Sequence, residues 1–276
     1  MLQASPAHAY NTEAIVAHAL AYEREFAAVG ISRDRFCIKI LSTGPGMLAA
    51  RILEQEHGVR TLGTGLFSVP QALAAAQAGC LYISPYYNEI LAHFTPPSER
   101  VVYESPAKQH PMSARMAHIY QAYRQLVLDG RATQPPVIKS ASFIALNEVL
   151  AMPALGSQQA TILAPTLVEM CTLQAPSVSG ASVYRPSKTY ATELPDETLP
   201  LLKLDPLRAD GRAQSFDGSV DYLANGAQLL EAAIAEDSET QRRIKDAVEV
   251  FQKAELQARA LIEAAMAQVN AASTTA

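Results

Sequence analysis

A lysine inside an apolar run is the residue of this chain best suited to covalent chemistry. Residues 36–41 read Phe-Cys-Ile-Lys-Ile-Leu, and Lys39 alone interrupts them before the Ser-Thr-Gly-Pro-Gly turn at 42–46. A short apolar run closed by a turn reads as a strand buried on both faces of a parallel sheet. An ammonium in that position is costly to desolvate unless it is paired or gives up its proton. Desolvation draws the pKa of tuned catalytic lysines down to about 7–8. A neutral amine is the nucleophile of Schiff-base chemistry on carbonyl substrates. The competing reading is a strand-end lysine whose head reaches solvent.

The elements that must hold this lysine alternate along the chain. Helical patterns are expected over 12–28, with Asn11 as N-cap, and over 46–57, 112–129, 145–152 and near 166–172. Ser68 and Pro70 open a further helix that stops at Gly79. Strands are expected at 36–41, 61–67, 80–85, 137–143 and 160–163. Strand starts about 20–25 residues apart, with helices between them, mean βαβ units and a parallel sheet. Residues 86–111 form an irregular insertion, and 173–217 a surface excursion rich in Pro, Ser and Thr. Two helices close the chain over 218–270. The last is expected to open with a capping box at Ser238-Glu-Thr-Gln241 and to pack through Ile244, Val248, Phe251, Ala254, Ala258 and Leu261. The whole is read as a single domain with its core at 1–172.

Composition removes several function classes. The 276 residues are 49% hydrophobic and 18% charged, enough for a sizeable core and unlike a disordered chain. A net charge of -5 argues against nucleic acid as a partner. No apolar stretch approaches the roughly 18 residues of a membrane span, and no leader pattern opens the sequence, so a cytoplasmic protein without a membrane partner is expected. Cys37, Cys80 and Cys171 sit in apolar surroundings and read as reduced core residues. The six histidines, His93 and His118 among them, lack metal-ligand spacing, so neither a metal nor a cofactor is expected. Gly44-Pro-Gly46 is too short for a phosphate loop.

Each strand carries polar groups at its C-terminal end: Lys39, Ser42 and Thr43, then Thr64 and Ser68, then Ser84 and Tyr86, then Ser140 and Ser142. In a (β/α) barrel that end is where several strands combine to do chemistry. Taken singly, each hydroxyl is more simply a satisfied strand-end group. Their recurrence beside Lys39 favours a site. Alternation places Lys139 opposite Ser140 and Ser142, so it is expected to face outward. Arg185 and Lys188, in the excursion, could reach an anionic substrate.

These segments resemble the transaldolase family of class I aldolases. Lys39-Ile-Leu-Ser-Thr-Gly-Pro-Gly46 is similar to the family's Schiff-base strand, Thr64-Gly-Leu-Phe67-Ser68-Val-Pro-Gln71-Ala72 to its next motif, Ala78-Gly79-Cys-Leu-Tyr-Ile83-Ser84-Pro85-Tyr86 to the third, and Ala141-Ser142-Phe143 to the last. The resemblance implies a TIM (β/α)8-type barrel that here lacks the first two βα units. Either the resulting edges are covered or the sequence starts inside a longer product. It also implies a Schiff base on Lys39 with a ketose or dihydroxyacetone-type donor. Gln3, Thr64 and Tyr86 would be the catalytic set around a water, as in the fructose-6-phosphate aldolase branch. Ser84, Ser142 and Thr43 would touch substrate. The Gln3 match rests on Tyr10-Asn-Thr-Glu13, and its alternative is a disordered terminal glutamine.

The departures are equally specific. The family's proton-transferring aspartate and lysine-positioning asparagine lie on the two strands without a counterpart here. Its two phosphate-binding arginines are replaced by Glu89 and Ile144. A carboxylate in place of a bidentate arginine repels phosphate, which disfavours sugar phosphates. The implied partner is a small sugar or aldehyde, with a homo-oligomer left open. The competing class is an impaired relic of the family that binds carbohydrate or serves as a scaffold.

Overall fold

A computed structural model describes residues 1–174, 186, 187 and 189–274. Arg185 and Lys188 lie outside the described residues. Six parallel strands form one sheet in chain order: β1 (Leu2–Gln3), β2 (Ile38–Leu41), β3 (Thr61–Leu66), β4 (Tyr82–Pro85), β5 (Val137–Ser140) and β6 (Gln159–Ala160). Helices α1 (Thr12–Ala28), α2 (Gly44–Gln55) and α3 (Val69–Ala78) make the first three crossovers. Between β4 and β5 run α4 (Pro106–Gln109) and α5 (Met112–Leu128). Then come α6 (Leu146–Ala151), α7 (Ala164–Cys171), α8 (Ala224–Glu236) and α9 (Ser238–Thr274). Strand order equal to chain order, with helical crossovers, is the architecture of a TIM-type barrel. This one is open, and β1 and β6 are its edges.

Local chemistry sets the boundaries. Asn11 caps α1 through a bond from the Ala14 amide at 2.9 Å. Gly79 ends α3 in the left-handed region at φ 83°. At the β2–α2 turn a side chain on Gly46 would stand 2.0 Å from the Leu41 carbonyl oxygen, so the tight return of chain onto strand requires glycine there. Alternation along β2 sends Ile38 and Ile40 into the helix-facing core with Ile15, Met47 and Leu53. Leu41, from the other face, packs instead with Ala9 and Val248.

Helix α9 lies across the C-terminal ends of the strands. Phe251 packs edge-on to Tyr86, just past β4, with ring centres 6.5 Å apart. Glu255 accepts from the Ser5 hydroxyl at 2.8 Å, and Gln252 donates to the Pro6 carbonyl at 3.3 Å. The packed stripe is shorter than the sequence suggested. Ile244, Ala247 and Val248 are buried, whereas Ala254, Ala258 and Leu261 are exposed. At about 1.5 Å per residue a helix this long outruns the barrel beneath it. Its cap also differs from expectation: Asp237, not Ser238, accepts from the Thr240 amide at 3.2 Å. Cys37 and Cys80 are buried, but Cys171 is exposed at the end of α7, a largely exposed helix of which only Thr166 is buried, which corrects the reading of all three as core residues.

A fully buried arginine fastens α9 to the body. Arg115 of α5 donates from Nε to both oxygens of Asp205 (3.1 and 3.0 Å) and from Nη1 to the Phe67 carbonyl (3.1 Å) and to Thr240 (2.8 Å). It also pairs with Asp237 at 2.9 Å. Two carboxylates and two neutral acceptors satisfy the fork of donors, which is what makes burial of a guanidinium tolerable. Near the start of the same helix, His110 stacks on Tyr87 with ring centres 3.9 Å apart, accepts from the Met112 amide at Nδ1 (3.1 Å), and so presents Nε2–H to Asn88 Oδ1 (3.2 Å). Burial, helped by repulsion from Arg243, pushes its pKa down to about 3.

Two outcomes follow for stability. Asp205→Ala leaves Arg115 as an undercompensated buried charge and should cost about 3–5 kcal/mol, read as a lower urea midpoint. Because His110 is neutral when folded and takes a proton near its ordinary 6.5 when unfolded, stability should fall as pH drops from about 6.5 toward 3. His110→Gln should flatten that acid limb in denaturation curves measured across the same range.

Candidate active site

The parallel register decides which side chains share the inner face. Gln3 pairs with Lys39, Lys39 with Leu62, Leu62 with Tyr82, and Tyr82 with Val137, making one layer. Leu41, Thr64 and Ser84 make the next layer toward the C-terminal ends. Lys39 therefore stands on the inner face, largely buried with some solvent contact. Among the described residues no ion pair holds its ammonium. Its pKa is lowered from the usual 10.5, chiefly because burial disfavours the charged form. Cys37 acts in the opposite sense, and repulsion from Lys139 adds to the lowering. Burial pushes the Cys37 thiol up to about 12, so at neutral pH it carries no charge with which to oppose.

Beside this amine, Thr64 donates to the Tyr86 phenol at 3.1 Å, which leaves the phenolic proton free for a water or a carbonyl oxygen. Burial raises the Tyr86 pKa, so the phenol stays protonated. The Ser84 hydroxyl, in register with Thr64, is buried and has no hydrogen-bond partner among the described residues. A buried orphan hydroxyl of this kind calls for a partner that the chain itself does not supply. Gln3 is held in the ladder, not disordered, and its carbonyl accepts from Tyr22 at 3.4 Å.

Two of the hydroxyls singled out in the sequence are already engaged. Thr43 caps α2 by accepting from the Gly46 amide at 3.0 Å, and it donates to the Ala9 carbonyl. Ser142 adopts φ 68°, unusual for a residue with a side chain. It donates to the Asn88 carbonyl and meets His93 Nε2, both at 2.8 Å. With its one proton directed at Asn88, the serine receives from His93, whose pKa is lowered by burial and by Arg100. No sequence spacing links His93 to Ser142. The contact comes from the fold of the 86–111 insertion.

Lys139 corrects another expectation. Ile83 pairs with Ile138, so the next residues along, Ser84 and Lys139, lie side by side on the inner face. The Lys139 ammonium sits 4.4 Å from the centre of the Tyr82 ring. Ser140 is the residue that faces outward, bonded to Ser157 at 2.7 Å. The left-handed turn at Ser142 breaks the alternation that grouped it with Ser140. The signal for Lys139 was nonetheless present, since it too is a lysine inside an apolar strand.

The cleft holding the two positions without arginine, Glu89 and Ile144, carries both signs of charge, with Arg100 and Arg243 also lining it. Glu89 pairs with Arg242 of α9 at 2.6 Å, and Arg242 also serves Glu239 and Asp246. The Ile144 amide donates to Glu148 at 2.8 Å. Among the described residues, no three His, Cys, Asp or Glu side chains are grouped to hold a metal ion, and no helix is long and apolar enough to cross a membrane.

Comparison with known proteins agrees with this geometry. The family model for transaldolase/fructose-6-phosphate aldolase matches residues 1–262. The transaldolase of Nostoc punctiforme is 37% identical over 161 residues, 58% of this chain and 45% of its own length. That of Gloeobacter violaceus is 30% identical over 229 residues, 82% of this chain and 55% of its own. That of Actinobacillus pleuropneumoniae serotype 3 is 35% identical over 169 residues, 61% of this chain and 50% of its own. The chain thus spans about half the length of the curated relatives it matches. An open parallel sheet in barrel order, an inward lysine on β2 and a match over nearly the whole sequence together say that the chain belongs to the transaldolase/fructose-6-phosphate aldolase family.

Proposed function

We propose that the protein is a class I aldolase of the transaldolase type, working through Lys39. The observation that carries this reading is a desolvated lysine that has no counter-ion among the described residues and shares its sheet face with the Thr64–Tyr86 pair and with the Ser84 hydroxyl, which has no partner among them either. The neutral amine adds to the C2 carbonyl of a ketose or dihydroxyacetone-type donor. Loss of water from the carbinolamine gives an iminium. The iminium draws the electrons of the C3–C4 bond, leaving an enamine on the protein, while the C4 hydroxyl gives its proton to the site water and the C4 fragment departs as an aldehyde. Return runs through protonation of the enamine or its attack on an acceptor aldehyde, then hydrolysis. A water held by the free phenolic proton of Tyr86, itself oriented by Thr64, with Gln3 on the same layer as the lysine, carries the protons of imine formation and release. Ser84 binds a substrate hydroxyl. Ser142, held by Asn88 and His93, retains a lone pair for a further one.

Unphosphorylated donors fit best. Glu89 and the buried Glu148 stand near the two arginine-less positions, and Arg242 is already shared among three carboxylates. A phosphate would have to displace one of them.

A second reading, a catalytically impaired relic that binds carbohydrate, draws on the commitment of Thr43 to a helix cap and on the open sheet edges. The two readings separate cleanly. Borohydride reduction with dihydroxyacetone should leave one covalent adduct on Lys39 and none in Lys39→Met. Failure of every such donor to label the unmodified protein, with sugar binding retained in Lys39→Ala, would establish the relic instead. Tyr86→Phe removes the free phenolic proton and should slow turnover by about 100-fold or more, measured as enamine formation or aldol cleavage.

A further inference from the structure

Two lysines share the inner face of this sheet, and the reading above uses one of them. Lys139 of β5 is brought there by the Ile83–Ile138 pairing and lies one strand beyond Ser84. Its ammonium rests over the Tyr82 ring, 4.4 Å from the centre, and Tyr82 stands in the same layer as Lys39. An aromatic face stabilises a cation without neutralising it. Among the described residues neither lysine belongs to an ion pair.

The groups facing Lys39 can be named strand by strand. β1 offers the neutral Gln3 and β3 the neutral Leu62 and Thr64. β4 offers Ser84 and the phenols of Tyr82 and Tyr86. α9 brings Val248 and Phe251 over the mouth, while its Glu255 is engaged by the Ser5 hydroxyl beyond the end of β1. On its own strand, Cys37 is held as a thiol. That leaves Lys139 as the one charged group acting on Lys39 at neutral pH among the described residues. Two amines in a partly desolvated space without a carboxylate cannot both keep a proton at little cost, so their titrations are linked. The proton belongs on the amine with better solvation and a cation-stabilising neighbour. Lys139 has both, being the less buried of the two and seated on Tyr82.

We infer that Lys139 is a positioning residue for the reaction: its ammonium, seated on the Tyr82 ring on the same inner face as Lys39, keeps the Lys39 amine unprotonated and ready to attack a carbonyl. Its use in catalysis rests on the Schiff-base reading of Lys39, but the electrostatic linkage between the two lysines does not.

Competitive acetylation with acetic anhydride across a pH series reads the free-amine fraction of each lysine by peptide mass, without any carbonyl substrate. In the unmodified full chain Lys39 should acquire reactivity at lower pH than Lys139, and the reverse order overturns the inference. Lys139→Met keeps the packing on Tyr82 but removes the charge, and Lys139→Arg keeps the charge. The Met variant should move the Lys39 profile to higher pH and cut its labelling at pH 7 several-fold, while the Arg variant should retain the original profile. A Met profile that overlays the unmodified one, or an Arg variant shifted as far as Met, also overturns it. The order of titration in the unmodified chain decides the matter even if Lys139→Met does not fold. A parallel borohydride arm with dihydroxyacetone tests the aldolase reading alone: linked profiles without trapping defeat that reading and leave the linkage standing.

Discussion

The buried guanidinium of Arg115 is the fastening on which the arrangement of this molecule depends. It sits where three segments distant in sequence meet: the turn after β3 through the Phe67 carbonyl, the excursion through Asp205, and the start of α9 through Asp237 and Thr240. Each acceptor is oriented by a different piece of chain, so the charge is tolerated only when all of them have arrived. A half-assembled version would leave a bare cation in an apolar interior. The network therefore makes the placement of α9 cooperative with the barrel. Through α9 it sets Val248 and Phe251 over the strand ends, where they shield Leu41 and Tyr86 from water.

That shielding bears directly on the chemistry. A lysine becomes a nucleophile when its surroundings solvate an ammonium poorly. Here the apolar cover of α9, the ladder neighbours Leu62 and Gln3, and the neutral Thr64–Tyr86 pair all act in that direction. The sheet itself is open, with β1 and β6 as edges. The amine sits one strand in from the β1 edge, which explains how it keeps some contact with solvent while remaining largely desolvated. Repulsion from Lys139 adds to desolvation and acts through space between strands.

Much of the architecture was readable from the chain. The helix at 12–28 and its Asn11 cap, the stop at Gly79 and the alternation of strands with helices all rest on local signals: a side chain that caps its own helix, a glycine that turns left-handed, apolar runs of strand length. The failures are equally physical. Asp237 took the cap assigned to Ser238 because the helix begins one residue earlier than the capping box requires, at Ser238 itself, and Asp237 is also held by Arg115. The outer half of α9 carries apolar residues at helical spacing but has no barrel beneath it, since periodicity reports which face of a helix is apolar and not whether anything meets it.

For the site the division is sharper. The amino-acid order alone determined that Lys39 would lie in a strand, with Thr64, Ser84 and Tyr86 at the ends of the following strands, because each sits in a short-range pattern of strand and turn. Tertiary structure decided that Lys139 faces inward and that Ser142 turns away from Ser140 to meet His93. Those outcomes depend on pairing register, on a single left-handed backbone angle and on neighbours from other segments. For Lys139 a one-residue slip in register would send the side chain to the opposite face.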